Sequence, residues 1–318
     1  SVIVHESKII GEGWHKKAGE PHAEVNAVNS VKDKSLLKDA SIYVSLEPCS
    51  HFGKTPPCCD LIIANEIPNV VIGTVDPFAK VAGNGIKKLV ESGKNVTIGI
   101  LEDECNELNK RFFTFHQKKR PYIILKWAET ADGFIAPLSK EEKAPVWITN
   151  PYSRQLVHKW RTEEQAILVG TNTVLDDNPK LDARDFSGNN PIRIVLDKLG
   201  KISENYQVKD NSQKTIFITE SENFISTENC IYENAIFDIH LISSICDILY
   251  KNEIQSVIIE GGSKTLQSFI NANLWDEARV FIGQTTFQNG TTAPIISGNP
   301  VAGFDIMNDE LKIFKNYD

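Results

Sequence analysis

Alternation of strand-like and helix-like segments is the feature that most constrains how this chain can fold. Apolar runs of strand length recur along most of the chain, separated by segments with helical apolar spacing. This alternation predicts a sheet layered with helices, an α/β fold. It is interrupted by the basic stretch Lys118-Lys119-Arg120 and by Pro121, which disfavours helix at the preceding residue. We therefore predict two domains, residues 1–117 and 121–318; a solvated helix end within one domain is the alternative.

The predicted elements are distributed over both halves, with no internal repeat and no low-complexity segment. In the first half, strands are predicted over Val2–Val4, Ile9–Ile10, Ile42–Leu46, Val70–Thr74 and Val96–Gly99, and helices over His22–Val31, Pro57–Ala64, Gly85–Ser92 and Leu101–Phe115. In the second half, strands are predicted over Tyr122–Trp127, Ala166–Val169, Ile192–Leu196, Thr215–Ile218 and Ser256–Ile259, and helices over Pro151–Arg161, Leu241–Lys251 and Lys264–Ala272.

Composition predicts a globular cytoplasmic protein. The chain has 318 residues, 41% of them hydrophobic, and no uninterrupted apolar stretch of the length needed to span a membrane. Its first residues, Ser1–Val4, lack the basic and long apolar regions of a signal peptide, and they are interpreted as a strand. Three of the six cysteines lie within eleven positions, at Cys49, Cys58 and Cys59. This clustering favours a thiolate–metal site over a disulfide framework.

Charge argues against nucleic acid as a partner. The net charge is −8, and residues 1–119 carry 15 basic and 15 acidic side chains, so the excess of acid lies entirely in the second half. Neither half has the basic excess that is typical of nucleic-acid binders. We expect a small-molecule substrate and no membrane partner.

A metal-binding pattern lies in the first half. His22-Ala23-Glu24 is followed by Pro48-Cys49 and, nine positions later, by Cys58. Imidazole nitrogen and thiolate sulfur are preferred zinc ligands, and three protein ligands leave a fourth position for water. Glu24, two residues from the histidine, could carry the proton of that water to a leaving group without binding the metal. The H-x-E…P-C pattern is the signature of zinc nucleobase deaminases, so Glu24 is the predicted catalytic residue.

Two other interpretations of these residues are open. His22 could be a satisfied core histidine among buried thiols, although the joint pattern argues against it. A structural site could also include Cys59. Adjacent cysteines rarely chelate one ion comfortably, so the predicted ligands are His22, Cys49 and Cys58. Zinc itself is inferred from the ligand type.

The loop between the two cysteine ligands is long, and it reads P-C-S-H-x-G-x-T-P-P-C from Pro48 to Cys58. Here the chain closely resembles the bifunctional riboflavin-biosynthesis deaminase/reductase family. The resemblance covers nearly the whole chain. Further matching segments are Gly11-Glu12-Gly13-Trp14-His15, Asp76-Pro77, Gly83-Asn84-Gly85, Leu125-Lys126-Trp127-Ala128, Asp132-Gly133, Trp147-Ile148-Thr149, Asn178-Pro179 and Ile259-Glu260-Gly261-Gly262.

This resemblance implies a cytidine-deaminase-like α/β/α domain followed by a dihydrofolate-reductase-like α/β domain. The implied cofactors are zinc and NADPH. The implied activities are deamination of 2,5-diamino-6-(ribosylamino)-4(3H)-pyrimidinone 5′-phosphate and then reduction of its ribosyl group to ribityl. The resemblance also implies association into a homo-oligomer.

Site residues follow from the resemblance position by position. His15, His51, Lys54 and Asp76 are implied to contact the deaminase substrate. Ala128, Trp147, Thr173, Asp177, Lys198, Gly262, Ser263, Lys264 and Thr265 are implied to contact NADPH. Lys126, Arg161, Leu181, Arg184 and Glu260 are implied to contact the reductase substrate. Taken singly, Lys54 could be a solvated surface lysine and each arginine a surface ion pair.

The residue types in these positions suit a phosphorylated substrate and a nucleotide cofactor. His51 and Lys54 lie between the two thiolate ligands and can face the same pocket, and a phosphate requires donors and positive charge. Guanidinium groups bind phosphate bidentately, which suits Arg161 and Arg184. The Gly261-Gly262 turn before a helix allows a close backbone approach to a ligand. A plain strand-to-helix turn is the alternative.

The chain departs from the family pattern at two places. The family's leading helix and its Asn-Pro-x-Val-Gly turn do not precede Ser1, and Pro145 stands where the family often has Ser. A reductase with an inactive deaminase domain is therefore the alternative prediction. A nucleic-acid-editing deaminase and a non-catalytic zinc scaffold are more distant ones. Lys126, Asp177 or Glu260 could supply the proton in the reduction, and the sequence leaves that choice open.

Overall fold

In a computed structural model, residues 1–17, 19–53, 55–77, 82–139 and 144–317 are described. The chain divides into two compact units, Ser1–Lys118 and Lys119–Asp318. Within the described residues, none of the helices combines the length and the apolar character that crossing a membrane requires.

The first unit is a sheet with helices packed on it. Its strands are β1 (Val2–His5), β2 (Lys8–Glu12), β3 (Ser41–Leu46), β4 (Asn69–Thr74) and β5 (Asn95–Ile98), and its α-helices are α1 (Ala23–Ser30), α2 (Cys58–Ala64), α3 (Asn84–Glu91) and α4 (Glu102–Lys118). The strand order is β2-β1-β3-β4-β5. Strand β1 is antiparallel to β2 and β3, whereas β3, β4 and β5 run parallel.

Buried aliphatic side chains of strands and helices form one core in this unit. Ile3, Ile42 and Ile72 on the strands are fully buried, as are Ala27 of α1 and Ile62 of α2. Because β3 and β4 are parallel, their carboxyl ends lie at one edge of the sheet. The segments that follow these two strands carry several of the predicted site residues, which the topology therefore brings to the same edge.

The second unit contains a larger mixed sheet. Its strands are β6 (Tyr122–Glu129), β7 (Phe134–Pro137), β8 (Ala166–Gly170), β9 (Ile192–Leu196), β10 (Thr215–Thr219), β11 (Cys230–Asn234), β12 (Ser256–Ile259), β13 (Glu277–Ile282), β14 (Gly290–Thr292), β15 (Ala302–Ile306) and β16 (Asp309–Lys315). Its α-helices are α5 (Pro151–Glu163), α6 (Thr171–Asp177), α7 (Leu241–Lys251) and α8 (Ser263–Asn271).

The nine-stranded sheet has the order β11-β10-β9-β8-β12-β6-β13-β16-β15. The first seven strands in this order, from β11 through β13, are parallel to one another. Strand β16 is antiparallel to β13, and β15 is antiparallel to β16. Apolar residues cover both faces of the parallel part, which is why β6, β8 and β12 are almost continuously hydrophobic. Strands β7 and β14 form a separate two-stranded ribbon.

The predicted α/β fold class is confirmed in both units, and each predicted strand and helix is present with ends that differ by at most three residues. Several elements were not predicted from the sequence. They are α6, β7, β11, β13, β14, β15, β16 and the short 3₁₀ helices Lys34–Asp39 and Gln207–Lys209.

Candidate functional site

The three predicted metal ligands meet in the first unit. The ligand atoms of His22, Cys49 and Cys58 all lie within 4.8 Å of one another. His22 Nδ1 is 3.3 Å from the Sγ of Cys58 and 3.6 Å from the Sγ of Cys49. His22 immediately precedes α1, Cys49 lies in the segment after β3, and Cys58 is the first residue of α2. Three separate elements therefore contribute one donor each.

Backbone contacts close the long loop between the two cysteines. The amide of Cys58 donates to Cys49 Sγ at 3.3 Å, and the amide of Cys59 donates to the carbonyl of Cys49 at 3.1 Å. The side chain of Cys59 lies elsewhere, with its Sγ 3.2 Å from the carbonyl of Pro48. Burial raises the pKa of this thiol to about 12. Among the described residues, the group that could hold a metal ion thus contains Cys58 and not Cys59.

The charges of the cluster suit a cation. The hydrogen bond from Cys58 lowers the pKa of Cys49 to about 4, and the same contact together with burial raises the pKa of Cys58. The sulfurs of Cys49 and Cys58 therefore carry one negative charge between them, because two thiolates this close would repel each other. A bound divalent ion would allow both to ionise, and imidazole with two thiolates is a donor set that zinc prefers.

Glu24 lies in the first turn of α1, beside the ligand cluster. Its side chain is buried, and burial raises the pKa of its carboxyl group. On the other side of the His22 ring, Nε2 is 3.4 Å from the Thr55 hydroxyl. The cluster therefore has next to it a carboxyl group that is protonated more readily than a solvated glutamate.

Three of the four residues predicted to contact the deaminase substrate can be placed in the first unit. The His15 ring centroid lies 5.1 Å from that of His22, and His51 lies in the same loop as Cys49 and Cys58. Asp76 is buried in the segment that follows β4. Lys54 lies outside the described residues.

A buried glutamate, Glu47, that was not predicted from the sequence organises this edge of the sheet. The Glu47 carboxylate accepts hydrogen bonds from the amides of Asp76, Gly83, Gly85 and Ile86 at 3.2, 2.9, 2.8 and 3.2 Å. Gly85 is required there, because a Cβ atom would lie 2.1 Å from the carbonyl of Pro48. The only sequence signal was an acidic residue directly before Pro48-Cys49.

In the second unit, many of the predicted site residues lie at or after the carboxyl ends of four neighbouring parallel strands, β9, β8, β12 and β6. Ligands of parallel α/β sheets usually bind at this edge. Ala128 lies near the end of β6, Thr173 and Asp177 lie in α6 after β8, Lys198 follows β9, and Glu260 and Gly262 follow β12.

The glycine turn before α8 packs closely against the turn before α6. A Cβ atom on Gly261 or on Gly170 would lie 2.9 Å from an atom of the Thr265 side chain. Ser263, Lys264 and Thr265 form the first turn of α8. Trp147 lies in the segment before α5, where the Arg154 guanidinium stacks 4.6 Å from its ring centroid.

Three charged side chains of the predicted substrate group meet at this edge. The Arg161 guanidinium donates to both oxygens of Glu260, at 3.2 and 2.8 Å, and Lys126 Nζ lies 3.9 Å from the same carboxylate. Burial alone would raise the pKa of Glu260, but the charges of Arg161 and Lys126 outweigh it and lower the pKa to about 2. Burial lowers the pKa of Lys126. The alternative of a solvated surface ion pair does not hold for Arg161, since the side chains of Arg161 and Glu260 are only 12% and 10% exposed.

The remaining predicted substrate positions lie on the segment after α6. Leu181 is buried, with a positive φ of 55° that is uncommon for a branched side chain. The Arg184 side chain is partly exposed and forms an ion pair with Asp182.

Comparisons with known proteins match the two parts of the chain to two different family models. Residues 1–74 match the model of the cytidine and deoxycytidylate deaminase zinc-binding region, and residues 121–303 match the model of the RibD C-terminal domain. The riboflavin biosynthesis protein RibD of Aquifex aeolicus is 40% identical over 296 residues, which are 91% of this chain and 81% of that protein. The chain belongs to the RibD family. Its predicted family membership is thereby confirmed.

Solved structures support the same assignment along the whole length of the RibD chain. A diaminohydroxyphosphoribosylaminopyrimidine deaminase/5-amino-6-(5-phosphoribosylamino)uracil reductase from Thermotoga maritima is 36% identical, with a TM-score of 0.89, and the match covers 99% of this chain and 90% of that one. The riboflavin biosynthesis reductase Rib7 of Saccharomyces cerevisiae, at 19% identity and a TM-score of 0.51, shares the fold of 66% of this chain.

Membership of the RibD family decides which of the functions predicted from the sequence applies to this chain. The chain is a bifunctional enzyme of riboflavin biosynthesis, with a zinc-dependent deaminase region and an NADPH-dependent reductase region. The relatives carry both regions, which favours the two-activity interpretation over the reductase-only alternative. The alternative of a non-catalytic zinc scaffold is wrong.

Proposed function

We propose that residues 1–117 deaminate 2,5-diamino-6-(ribosylamino)-4(3H)-pyrimidinone 5′-phosphate and that residues 121–318 then reduce the ribosyl group with NADPH. The product is 5-amino-6-ribitylamino-uracil 5′-phosphate. The observation that carries this proposal is the convergence of His22, Cys49 and Cys58 beside the buried Glu24. The printed activity of the Thermotoga maritima relative supports the choice of substrate.

In the deaminase site, His22 Nδ1 and the sulfurs of Cys49 and Cys58 would hold zinc. A zinc ion in such a site acts as a Lewis acid and makes a bound water acidic near neutral pH. Glu24 accepts the proton of the attacking water on a carboxylate oxygen and returns it to the leaving amine. Its raised pKa suits both transfers, because the group must hold and release a proton in one turnover.

The substrate contacts of this site are His15, His51, Lys54 and Asp76. His15 and His51 are supported by their place beside the ligand histidine and within the ligand loop. Asp76 is supported by Glu47, which fixes its backbone amide, so that the residue has a defined position at the edge of the sheet. Lys54 is proposed on its place in the sequence, within the Cys49–Cys58 loop.

In the reductase site, the proposed NADPH contacts lie at or after the ends of four parallel strands, except Trp147, which lies before α5. They are Ala128, Trp147, Thr173, Asp177, Lys198, Gly262, Ser263, Lys264 and Thr265. Lys126, Arg161, Leu181, Arg184 and Glu260 contact the sugar phosphate or the pyrimidine. Hydride transfer depends mainly on placement of the nicotinamide against C1′ of the open-chain sugar.

Lys126 is the proposed proton donor of the reduction. Burial lowers the pKa of its ammonium group, so it releases a proton more readily than a solvated lysine does. Glu260 is a poor donor, since neighbouring positive charges keep it ionised with a pKa of about 2. Its proposed role is to hold Lys126 and Arg161 in place.

We further propose that the chain acts on free nucleotides in the cytoplasm and associates with copies of itself. The even charge of residues 1–119 supports a free substrate over nucleic acid, because phosphate backbones require a basic surface. Association is proposed on the resemblance to the family.

A split assay of the full chain tests the two-step proposal. Purified protein is loaded with zinc and given the diaminopyrimidine phosphate, and ammonia and NADPH are followed separately. We expect ammonia release without NADPH, and NADPH oxidation only once deaminated product is present. A folded, zinc-loaded chain that releases no ammonia would refute the first step, and one that never oxidises NADPH with the deaminated compound would refute the second.

A further inference from the structure

One backbone carbonyl in the second unit receives two hydrogen bonds from the same helix. The carbonyl oxygen of Asp182 lies 3.0 Å from His158 Nδ1 and accepts from the Arg161 guanidinium at 2.9 Å. His158 and Arg161 are three residues apart in α5, so their side chains lie on one face of the helix. A carbonyl can only accept, which places the ring proton of His158 on Nδ1.

His158 is a buried group with no role in the chemistry proposed above. Its Nε2 lies 3.1 Å from the Asp185 carboxylate, and its other charged neighbours are Arg161 in the same helix, Arg184 in the facing segment and Glu260 after β12. Burial and the Arg161 charge lower the pKa of the ring. His158 therefore donates from Nδ1 to the carbonyl of Asp182, and contacts at both ring nitrogens fix the orientation of its ring.

The segment that His158 holds carries two proposed substrate contacts. Leu181 directly precedes Asp182 and has left-handed backbone geometry, a strained conformation that persists only when its surroundings fix it. Arg184 follows two residues later. A further bond, from the amide of Ala183 to Asn190 Oδ1 at 2.9 Å, holds the other side of the turn.

We propose that His158 is a positioning residue of the reductase. Together with Arg161 it fixes the carbonyl of Asp182, and thereby holds Leu181 and Arg184 in the geometry that receives the pyrimidine nucleotide. This inference rests on the proposed reductase function of residues 121–318. It assigns His158 to the binding of the pyrimidine nucleotide and not to that of NADPH.

Two amide variants distinguish this role from general packing. In His158→Asn the side-chain amide can replace the Nδ1–H donor, whereas in His158→Gln the longer side chain places its amide near the position of Nε2. Reduction is measured on the deaminated nucleotide. We expect His158→Asn to keep the wild-type KM for that nucleotide, and His158→Gln to raise it about three- to ten-fold, the effect of losing one hydrogen bond.

The control readouts are the KM for NADPH and the rate of ammonia release, which we expect to be unchanged in both variants. Equal KM values for the nucleotide in the two variants would overturn the proposal, as would a parallel rise in the KM for NADPH. Failure of the wild-type chain to oxidise NADPH would instead refute the proposed function, before either variant is compared.

Discussion

Two adjacent cysteines have different surroundings because they lie at the start of a helix. Cys58 and Cys59 are the first two residues of α2, where successive side chains point in directions about 100° apart. Cys58 Sγ faces His22, and Cys59 Sγ faces the carbonyls of Pro48 and Gly85, at 3.2 and 3.5 Å. One position of the helix is thus available for metal binding, and the next one packs in the core.

This difference predicts a clear contrast between two serine variants. Cys58→Ser should lose most of its bound zinc, since a hydroxyl is a much weaker zinc ligand than a thiolate. Cys59→Ser should keep about one zinc per chain, because its hydroxyl can still donate to the carbonyl of Pro48. Metal content after purification, measured by atomic absorption, compares the two. Equal zinc loss from two folded variants would contradict the ligand set.

The sequence was sufficient to predict which three potential metal donors meet in the fold, but not the residue that organises their surroundings. His22, Cys49 and Cys58 were recognisable from residue type and spacing alone. Glu47 was not, because an acidic side chain is usually solvated and its partners are backbone amides up to 39 positions away. A sequence pattern does not show which amides a carboxylate will meet after folding.

At the scale of elements, a buried ion pair joins the beginnings of β6 and β13. Arg120 donates to both oxygens of Asp276, at 2.6 and 2.8 Å, and the amide of Ile123 donates to the same carboxylate at 2.8 Å. Both side chains are largely buried. The pair therefore sets the register of two neighbouring strands, one of which carries Lys126 and Ala128.

Breaking this pair should destabilise the second unit strongly. Asp276→Asn removes the carboxylate charge and leaves Arg120 buried without its partner, which typically costs about 3–5 kcal/mol. Unfolding in denaturant is followed by tryptophan fluorescence, which reports mainly on this unit, because four of the five tryptophans lie in it (Trp127, Trp147, Trp160 and Trp275).

The matched control is Glu163→Gln, which removes the charge of an exposed pair between Lys159 and Glu163. Exposed pairs of this kind contribute about 1 kcal/mol or less. An Asp276→Asn variant that unfolds at the same denaturant concentration as Glu163→Gln would show that the buried pair has no special role.

One strand that was not predicted from the sequence, β13, was missed for a clear physical reason. Strand β13 contains Glu277 and Arg279, both buried, whose charges hide it from a search for apolar runs. In the fold, Arg279 donates to Glu277 at 2.6 Å, and the Tyr122 hydroxyl donates to Glu277 at 3.1 Å. These hydrogen bonds make the burial of the charges tolerable, and the one from Tyr122, 155 positions away, is not visible in local sequence. The Arg161–Glu260 contact, across 99 positions, was missed for the same reason.

At the scale of the whole molecule, the two units follow one topological rule with different chemistry. In each, several of the candidate site residues lie at or after the carboxyl ends of neighbouring parallel strands. At this edge the first unit has the cluster of His22, Cys49 and Cys58. The second unit has the glycine turn before α8 and the charged side chains of Lys126, Arg161 and Glu260. Because each set of residues lies within one unit, we expect the two activities to be lost separately.

The most direct test of this account measures both half-reactions in Glu24→Gln and Glu260→Gln. We expect Glu24→Gln to keep its zinc and to lose ammonia release by at least ~100-fold, the usual effect of removing a general acid–base, with unchanged reduction of the deaminated nucleotide. Glu260→Gln should release ammonia at the wild-type rate and lose reduction by about ten-fold or more, because Lys126 and Arg161 lose a charged partner. Parallel loss of both activities in either variant would contradict two independent sites.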